Sequence, residues 1–319
     1  MLTRRILVGF AAVMPALASA QSFQSQAIRL VIPYPPGGGT DTLARPFSEA
    51  FRQQIGQPVV LEHRPGAATI IGMEHVARAT PDGHTLIVNA DNVALFPHLY
   101  RRLPWDLFRD FTPITYMAET PLVIAAHPHV PAATLQEFVA LVRSRPEHFA
   151  FANPSIGSPH HLGFELLARE AGLRMLQPQY RGGGPATADV IAGHAHLGVF
   201  SLGSVSGHIA AGRLRPYALL STRRSSIAPD IPTTAEVGLP QVVNALRFLM
   251  LAPAGVPAPV LARLHEAATA ALADPTLREG LTRAGFEMMS TTPQEAAGML
   301  RAERDRWAPI LASLNIQLD

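Results

Sequence analysis

The chain has 319 residues, 48% of them hydrophobic and 16% charged, with a formal net charge of +2 and no cysteine. Such a length buries a sizeable core and usually divides into two lobes, while the missing thiols exclude disulfides, thiolate nucleophiles, thiolate metal sites and a lipid anchor on cysteine. All 26 basic residues are arginine, so Walker-type phosphate loops and Schiff-base chemistry, which need lysine, are excluded together.

The first twenty residues read as a secretory signal. Met1 to Arg5 is basic, Ile6 to Leu17 is apolar but short for a bilayer span, and Ala18-Ser19-Ala20 is an A-x-A cleavage site. The mature chain is expected to begin at Gln21 and to reside in a bacterial periplasm. Loss of Arg4 and Arg5 leaves 24 arginines facing 24 carboxylates, so no global basic field exists to draw nucleic acid or anionic lipid. A bound anion must be held by local groups.

Leu30 to Ile32 is a short apolar run that predicts a buried strand, and Pro33 to Gly39 ends it. Gly37, Gly38 and Gly39 carry no Cβ, so their amides and the start of the next helix can converge on one carboxylate or phosphate. Thr40 or Asp41 is the expected N-cap of that helix, and the apolar spacing runs from Leu43 to Gln54. Val59 to Glu62 follows as a strand, His63 to Gly72 as a turn, Met73 to Ala79 as a helix and Thr85 to Val88 as a strand. This alternation predicts an α/β domain with a mainly parallel sheet. Ligands of such sheets collect at the carboxyl ends of strands, which puts the glycine loop and Asn89, Ala90 and Asp91 on one rim.

Tyr100 to Phe111 reads as an irregular connection and Leu122 to Ala126 as a strand leading away from it. A helix at 135–144, a strand at 149–152 and a helix at 160–171 come next, with Ser155 or Ser158 as the cap of the last. A second glycine triplet, Gly182 to Gly184, follows Tyr180 and Arg181 and precedes a helix opened by Pro185. Two similar turns in two halves place two lobes around one ligand. The remainder predicts strands at 197–200 (ending in Ser201), 215–220 and 246–251, then helices at 260–273, 276–284 and 293–314, with Trp307 on an apolar face. Two crossings between lobes describe a hinged clamshell.

These residues resemble a known family. R-L-V-I-P-Y-P-P-G-G-G-T-D, E-H-R-P-G-A, P-D-G-H-T-L, L-Y-R-R-L-P-W-D, G-S-P-H-H-L, Y-R-G-G-G-P-A, A-G-R-L-R, P-D-I-P-T-T-A-E-V-G-L-P and A-P-A-G-V-P occur in the order found in Bug/TctC receptors, the extracytoplasmic solute receptors of tripartite tricarboxylate transporters. The match covers nearly the whole mature chain. It implies a two-lobed periplasmic-binding-protein fold of the second type, lobes at 21–123 with 248–319 and at 124–247, and a small carboxylate held in the cleft by backbone amides and ordered waters. Carried onto this chain, the binding positions are Pro36, Gly37, Gly38, Gly39, Thr40, Asp41, Asn89, Ala90, Asp91, Ser155, Gly157, Ser158, His160, Tyr180, Arg181, Gly182, Gly183 and Ser201. Arg247 stands where many relatives carry Trp; facing the cleft, its planar fork would favour a second ligand carboxylate, whereas on the outer side of the returning strand it would pair with a surface acid or water. The implied partners are membrane permease subunits or a sensor kinase, with the receptor a monomer and no cofactor.

The rival reading is an exported enzyme acting on a small carboxylate, by metal-assisted or acid/base chemistry. His127 with His129, His160 with His161, and His194 with His196 are the candidate metal ligands, but none of these pairs has i, i+4 spacing and no H-E-x-x-H occurs. Asp41 and Glu62 are the candidate acid and base, better explained as a helix cap and a strand end, and no G-x-S-x-G elbow is present. An adhesin, the third class, has no need of paired glycine loops.

Overall fold

Ile28–Ile32 (β1) buries every side chain but Arg29, as a strand covered on both faces requires. The computed structural model describes residues 26–180, 182–314, 316 and 318; the signal expected at 1–20 lies outside them. β1 pairs in parallel with Val59–His63 (β2) on one side and Thr85–Ala90 (β3) on the other. Between β1 and β2 runs Gly39–Ile55 (α1), which buries Leu43, Ala44, Phe47, Phe51 and Ile55 at helical spacing. It ends at Gly56, whose left-handed φ of 78° lets its N–H return to Arg52 O. Ile70–Ala77 (α2) leads to β3.

After two single-turn helices, Phe96–Leu99 (α3) and Leu107–Asp110 (α4), the chain enters Phe111–Ala126 (β4), a strand of 16 residues. Only its last five were expected; the earlier part, which contains Pro113 and Pro121, was not. The ladder with β7 shifts register beside Pro113, between Pro113 and Thr115, and again between Tyr116 and Ala118. Up to Pro121, β4 pairs with Ala245–Pro253 (β7); from Leu122 it pairs with Leu197–Ser201 (β5) and then Arg215–Leu219 (β6). The order is β2-β1-β3-β7-β4-β5, with β6 and Glu287–Met288 (β8) also on β4. Every pairing of β4 and β7 is antiparallel. The sheet is therefore mixed rather than mainly parallel, since a strand leaving one half must run against the strand that returns.

The second half carries Leu135–Ser144 (α5), Pro159–Ala171 (α6), Gly183–Ile191 (α7) and Leu202–Ala210 (α8). α8 was not expected from its Gly- and Ser-rich sequence. The strand expected at 149–152 exists only as isolated bridges, Ala150 to Leu176 and Phe151 to Leu197. Ala258–Leu272 (α9), Pro275–Arg283 (α10) and Pro293–Leu314 (α11) return to the first half. One apolar core lies between α1, α9 and the β1–β3–β7 face. A larger one runs from Trp307 and Leu311 of α11 past Tyr116 to Phe151 and Phe164 of the second half.

The halves also touch by backbone. A Cβ on Gly203 in α8 would overlap Ala284 O, and one on Gly285 would overlap the Cα of Gly203.

Phe47 is fully buried and stacks on Phe51 with ring centroids 5.4 Å apart. Phe47→Ala is expected to cost about 3–5 kcal/mol of stability, measured as a lower midpoint in urea unfolding; a cost under about 1 kcal/mol would show that α1 collapses onto the gap.

Candidate functional site

The first glycine loop is shaped by Gly37, whose φ of +86° is open to glycine at little cost. Gly38 holds the N-cap position and α1 opens at Gly39. Neither Thr40 nor Asp41 is the cap, contrary to expectation, because the helix begins four residues before its apolar stripe. Asp41 instead reaches back from the first turn. Its Oδ2 accepts the Gly37 N–H at 2.9 Å, and its Oδ1 lies 2.8 Å from His63 Nε2 and 3.1 Å from Arg45 Nη2. Both Asp41 oxygens and the Gly37 amide are thus engaged inside the loop, and the ligand is left the amides beyond. Thr42 N–H makes the first helical bond, to Gly38 O, so the amides of Gly39, Thr40 and Asp41 have no partner within the helix.

Across from this loop lie two further helix starts. Ser158 Oγ accepts the His161 N–H at 3.2 Å and caps α6. Gly157 N–H donates to His161 Nδ1, and that ring's Nε2 faces Glu165 at 3.4 Å. Gly182, with φ +107°, donates to Pro154 O and precedes α7, which opens at Gly183. In both triplets the first glycine takes the positive φ, spends its amide on the protein and leaves later amides pointing outward.

Between these starts is a cleft of about 630 Å³, within the range of small-molecule sites. Pro36, the first triplet, Thr40, Ala90, Ser155, Gly157, Ser158, His160, Gly182 and Gly183 line it. A second chamber of about 860 Å³ shares Gly37 to Gly39, His160, Gly183, Leu246 and Phe248 and adds Ser201. His160 stands where the chambers meet, its Nε2 3.1 Å from Ser201 Oγ. Burial pushes its pKa down to about 4, so the ring is neutral near pH 7. In the cleft His160 serves as a hydrogen-bonding wall residue.

Other expected residues are elsewhere. Asn89 is fully buried and supports the wall: its Oδ1 accepts the Tyr34 hydroxyl at 3.0 Å and the Ala90 N–H at 2.8 Å. Tyr180 turns aside, its hydroxyl donating to Asp189 Oδ2 at 2.6 Å on the flank of α7. Arg181 lies outside the described residues. Arg247 does not line the cleft, because Leu246 and Phe248 on either side of it do and adjacent strand residues point to opposite faces. It lies 3.3 Å from Asp91 Oδ2, 3.3 Å from Glu119 and 3.5 Å from Glu303. Asp91 is drawn into this cluster and leaves the binding set as well. Burial pushes its pKa up to about 7 against the pull of Arg247, as three carboxylates crowd Arg247 and Arg306.

The sequence reading missed Tyr34, Ala68, Thr69, Phe96, Leu99, Tyr100, Ile156, Leu246 and Phe248. Ala67, Ala68 and Thr69 take successive positive φ values of 44°, 49° and 84°, a strained run for non-glycine residues of the kind held at binding sites. No motif announced it, although the period-two alternation through Arg247 did imply that its neighbours faced the other way. Among the described residues no group of three or more His, Cys, Asp or Glu is placed to hold a metal, and no helix is long and apolar enough to cross a membrane.

Residues 43–316 match the profile of the tripartite tricarboxylate transporter family receptor. BugT of Bordetella pertussis is 31% identical over 305 residues, 95% of this chain and 94% of that one. A structure from R. palustris with adipate superposes with a TM-score of 0.83 at 28% identity, covering 92% of this chain and 99% of that one. MatC from Rhodopseudomonas palustris with bound malate gives 0.79 at 28%, covering 89% and 98%.

The Gly37 N–H, followed by the contacts of His63 and Arg45, holds Asp41 at a pKa of about 2, down from 3.8. A carboxyl depressed by folding contributes stability that is complete above its unfolded pKa and is lost as pH falls through the folded value. The stability gap between wild type and Asp41→Asn is therefore expected to be full at neutral pH and to shrink between about pH 4 and pH 2, read from urea unfolding across that window. A gap independent of pH would remove Asp41 as the brace of the loop.

Proposed function

The chain belongs to the tripartite tricarboxylate transporter receptor family, and on that premise we propose that it is an exported receptor that captures a small carboxylate between two lobes and hands it to membrane permease subunits. One observation carries the reading. The starts of α1, α6 and α7 reach the cleft from two sides, and no Asp or Glu is among its described lining residues. Unpaired amides and helix dipoles favour an anion there, and a carboxylate is the anion of the relatives with adipate and malate.

The lobes are drawn where the long strands change partners. β4 leaves β7 after Pro121 and pairs with β5 at Leu122, while Asn244 N–H still bonds Leu220 O and Ala245 already pairs with Pro121. On this reading one lobe is 26–121 with 245–318 and the other 122–244, where the sequence resemblance implied 21–123 with 248–319 and 124–247. The periplasm as location and cleavage after Ala20 belong to the same proposal.

A carboxylate that binds only the folded protein at about a hundred times its dissociation constant should add about 2.7 kcal/mol of stability, visible as a dye-monitored shift in Tm. A Cβ on Gly183 meets no atom within 4 Å, so Gly183→Val should fold with an unchanged circular dichroism spectrum, fill the cleft and abolish the shift. No shift for wild type with any mono-, di- or tricarboxylate would sink the receptor reading.

Closure can be tested apart from capture. Gly203→Ala forces α8 away from the turn at Ala284 and Gly285, so affinity should fall roughly tenfold, about 1.4 kcal/mol, while folding persists. Unaltered affinity would mean that this contact takes no part in the bound state.

A further inference from the structure

Resting on the carboxylate-receptor reading, we infer that the cleft takes a monocarboxylate with an apolar body, an aliphatic or aryl acid, in preference to a di- or tricarboxylate.

A second carboxylate brought into a closed cleft must find a cation or several donors, or it remains desolvated at a cost of several kcal/mol. No arginine is among the described lining residues of either chamber, and the chain contains no lysine. The cations in the neighbouring wall are already engaged. Arg247 is shared by Asp91, Glu119 and Glu303, and Arg306 faces Glu303 at 3.8 Å. That cluster has no positive charge to spare for a second anion. Among the described lining residues, the groups best suited to an anion are the helix starts.

Beyond that end the first chamber turns apolar. Phe96, Leu99 and Tyr100 form one wall, Ile156 faces them from the other half, and Leu246 and Phe248 continue the surface. Phe96 and Tyr100 pack with ring centroids 5.1 Å apart, a preformed aromatic surface. The apolar wall closes directly on the anion end, since a Cβ on Gly157 would lie 3.1 Å from Leu99 Cδ1. Ile156 remains 42% exposed, so ligand carbon laid against it would remove apolar surface from water. A volume of about 630 Å³ accommodates a body of several carbons beyond the carboxylate.

The test compares acids by calorimetry on the mature protein. From propionate to hexanoate each methylene should tighten binding roughly fourfold, the equivalent of about 0.8 kcal/mol per buried CH₂. Hexanoate and phenylacetate should bind more tightly than adipate, the six-carbon diacid, and than malate. Ile156→Asn, a change at a half-exposed cleft position, should weaken hexanoate several-fold and propionate by a smaller factor. Adipate or malate binding more tightly than hexanoate, or a flat series, would overturn the inference and leave the receptor intact. Failure of every carboxylate, mono or di, would overturn the receptor reading together with it.

Discussion

The antiparallel ladder between β4 and β7 is the constraint on which the rest of the molecule depends. It runs from Phe111 opposite Pro253 to Pro121 opposite Ala245, and beyond it the same β4 strand becomes the partner of β5 and β6. The two halves are therefore joined by main chain that is hydrogen-bonded on both sides of the crossing. Because side chains alternate along β7, the strand has two duties. Leu246 and Phe248 form cleft wall, and Arg247 between them ties β4, the segment after β3 and α11 together through Glu119, Asp91 and Glu303. Trp307 Nε1 donates to the other oxygen of Glu303 at 2.6 Å. A buried cluster of this kind stabilises little in net terms, but losing one partner leaves an uncompensated charge. The register of the crossing is that of the β4–β7 ladder itself.

That register sets the cleft in turn. The two glycine loops face each other only because the halves are held at this crossing, and each loop is braced by a different acceptor. Asp41 takes the Gly37 amide and the Pro154 carbonyl takes that of Gly182. A carboxylate serves the first loop and a carbonyl the second, yet the result is the same: a positive-φ glycine is pinned and the following helix start is aimed outward. Each helix terminus contributes about 0.3–1 kcal/mol toward an anion at exposed sites, more where partly buried. Three termini lining one cleft supply toward an anion what a basic side chain would supply elsewhere, without a long side chain to order.

Much of this was legible in the residues. Apolar runs marked β1, β2 and β3, helical spacing marked α1, α5, α6 and the three terminal helices, and the two glycine triplets marked both sides of the cleft. Such features depend on neighbours a few positions away, so sequence periodicity and the missing Cβ of glycine decide them locally. Length, the absence of cysteine and lysine, and the near-balance of charge excluded whole classes of chemistry before any fold was known.

What only the tertiary structure decided is how distant residues share partners. The long strand through Pro113 and Pro121 is not marked as one in the sequence, and its pairing with β7 exists only in the packed chain. Asp41 looks like a cap or a catalytic acid until the Gly37 amide, Arg45 and His63 occupy both its oxygens. Arg247 and Asp91 look like ligand contacts until they are found paired across 156 positions of sequence. Apolar wall residues such as Leu99 and Ile156 carry no motif, because an apolar side chain in a cleft and one in a core have the same local pattern. A polar side chain's role depends on which groups reach it in space, and that is a property of the packed chain rather than of its local pattern.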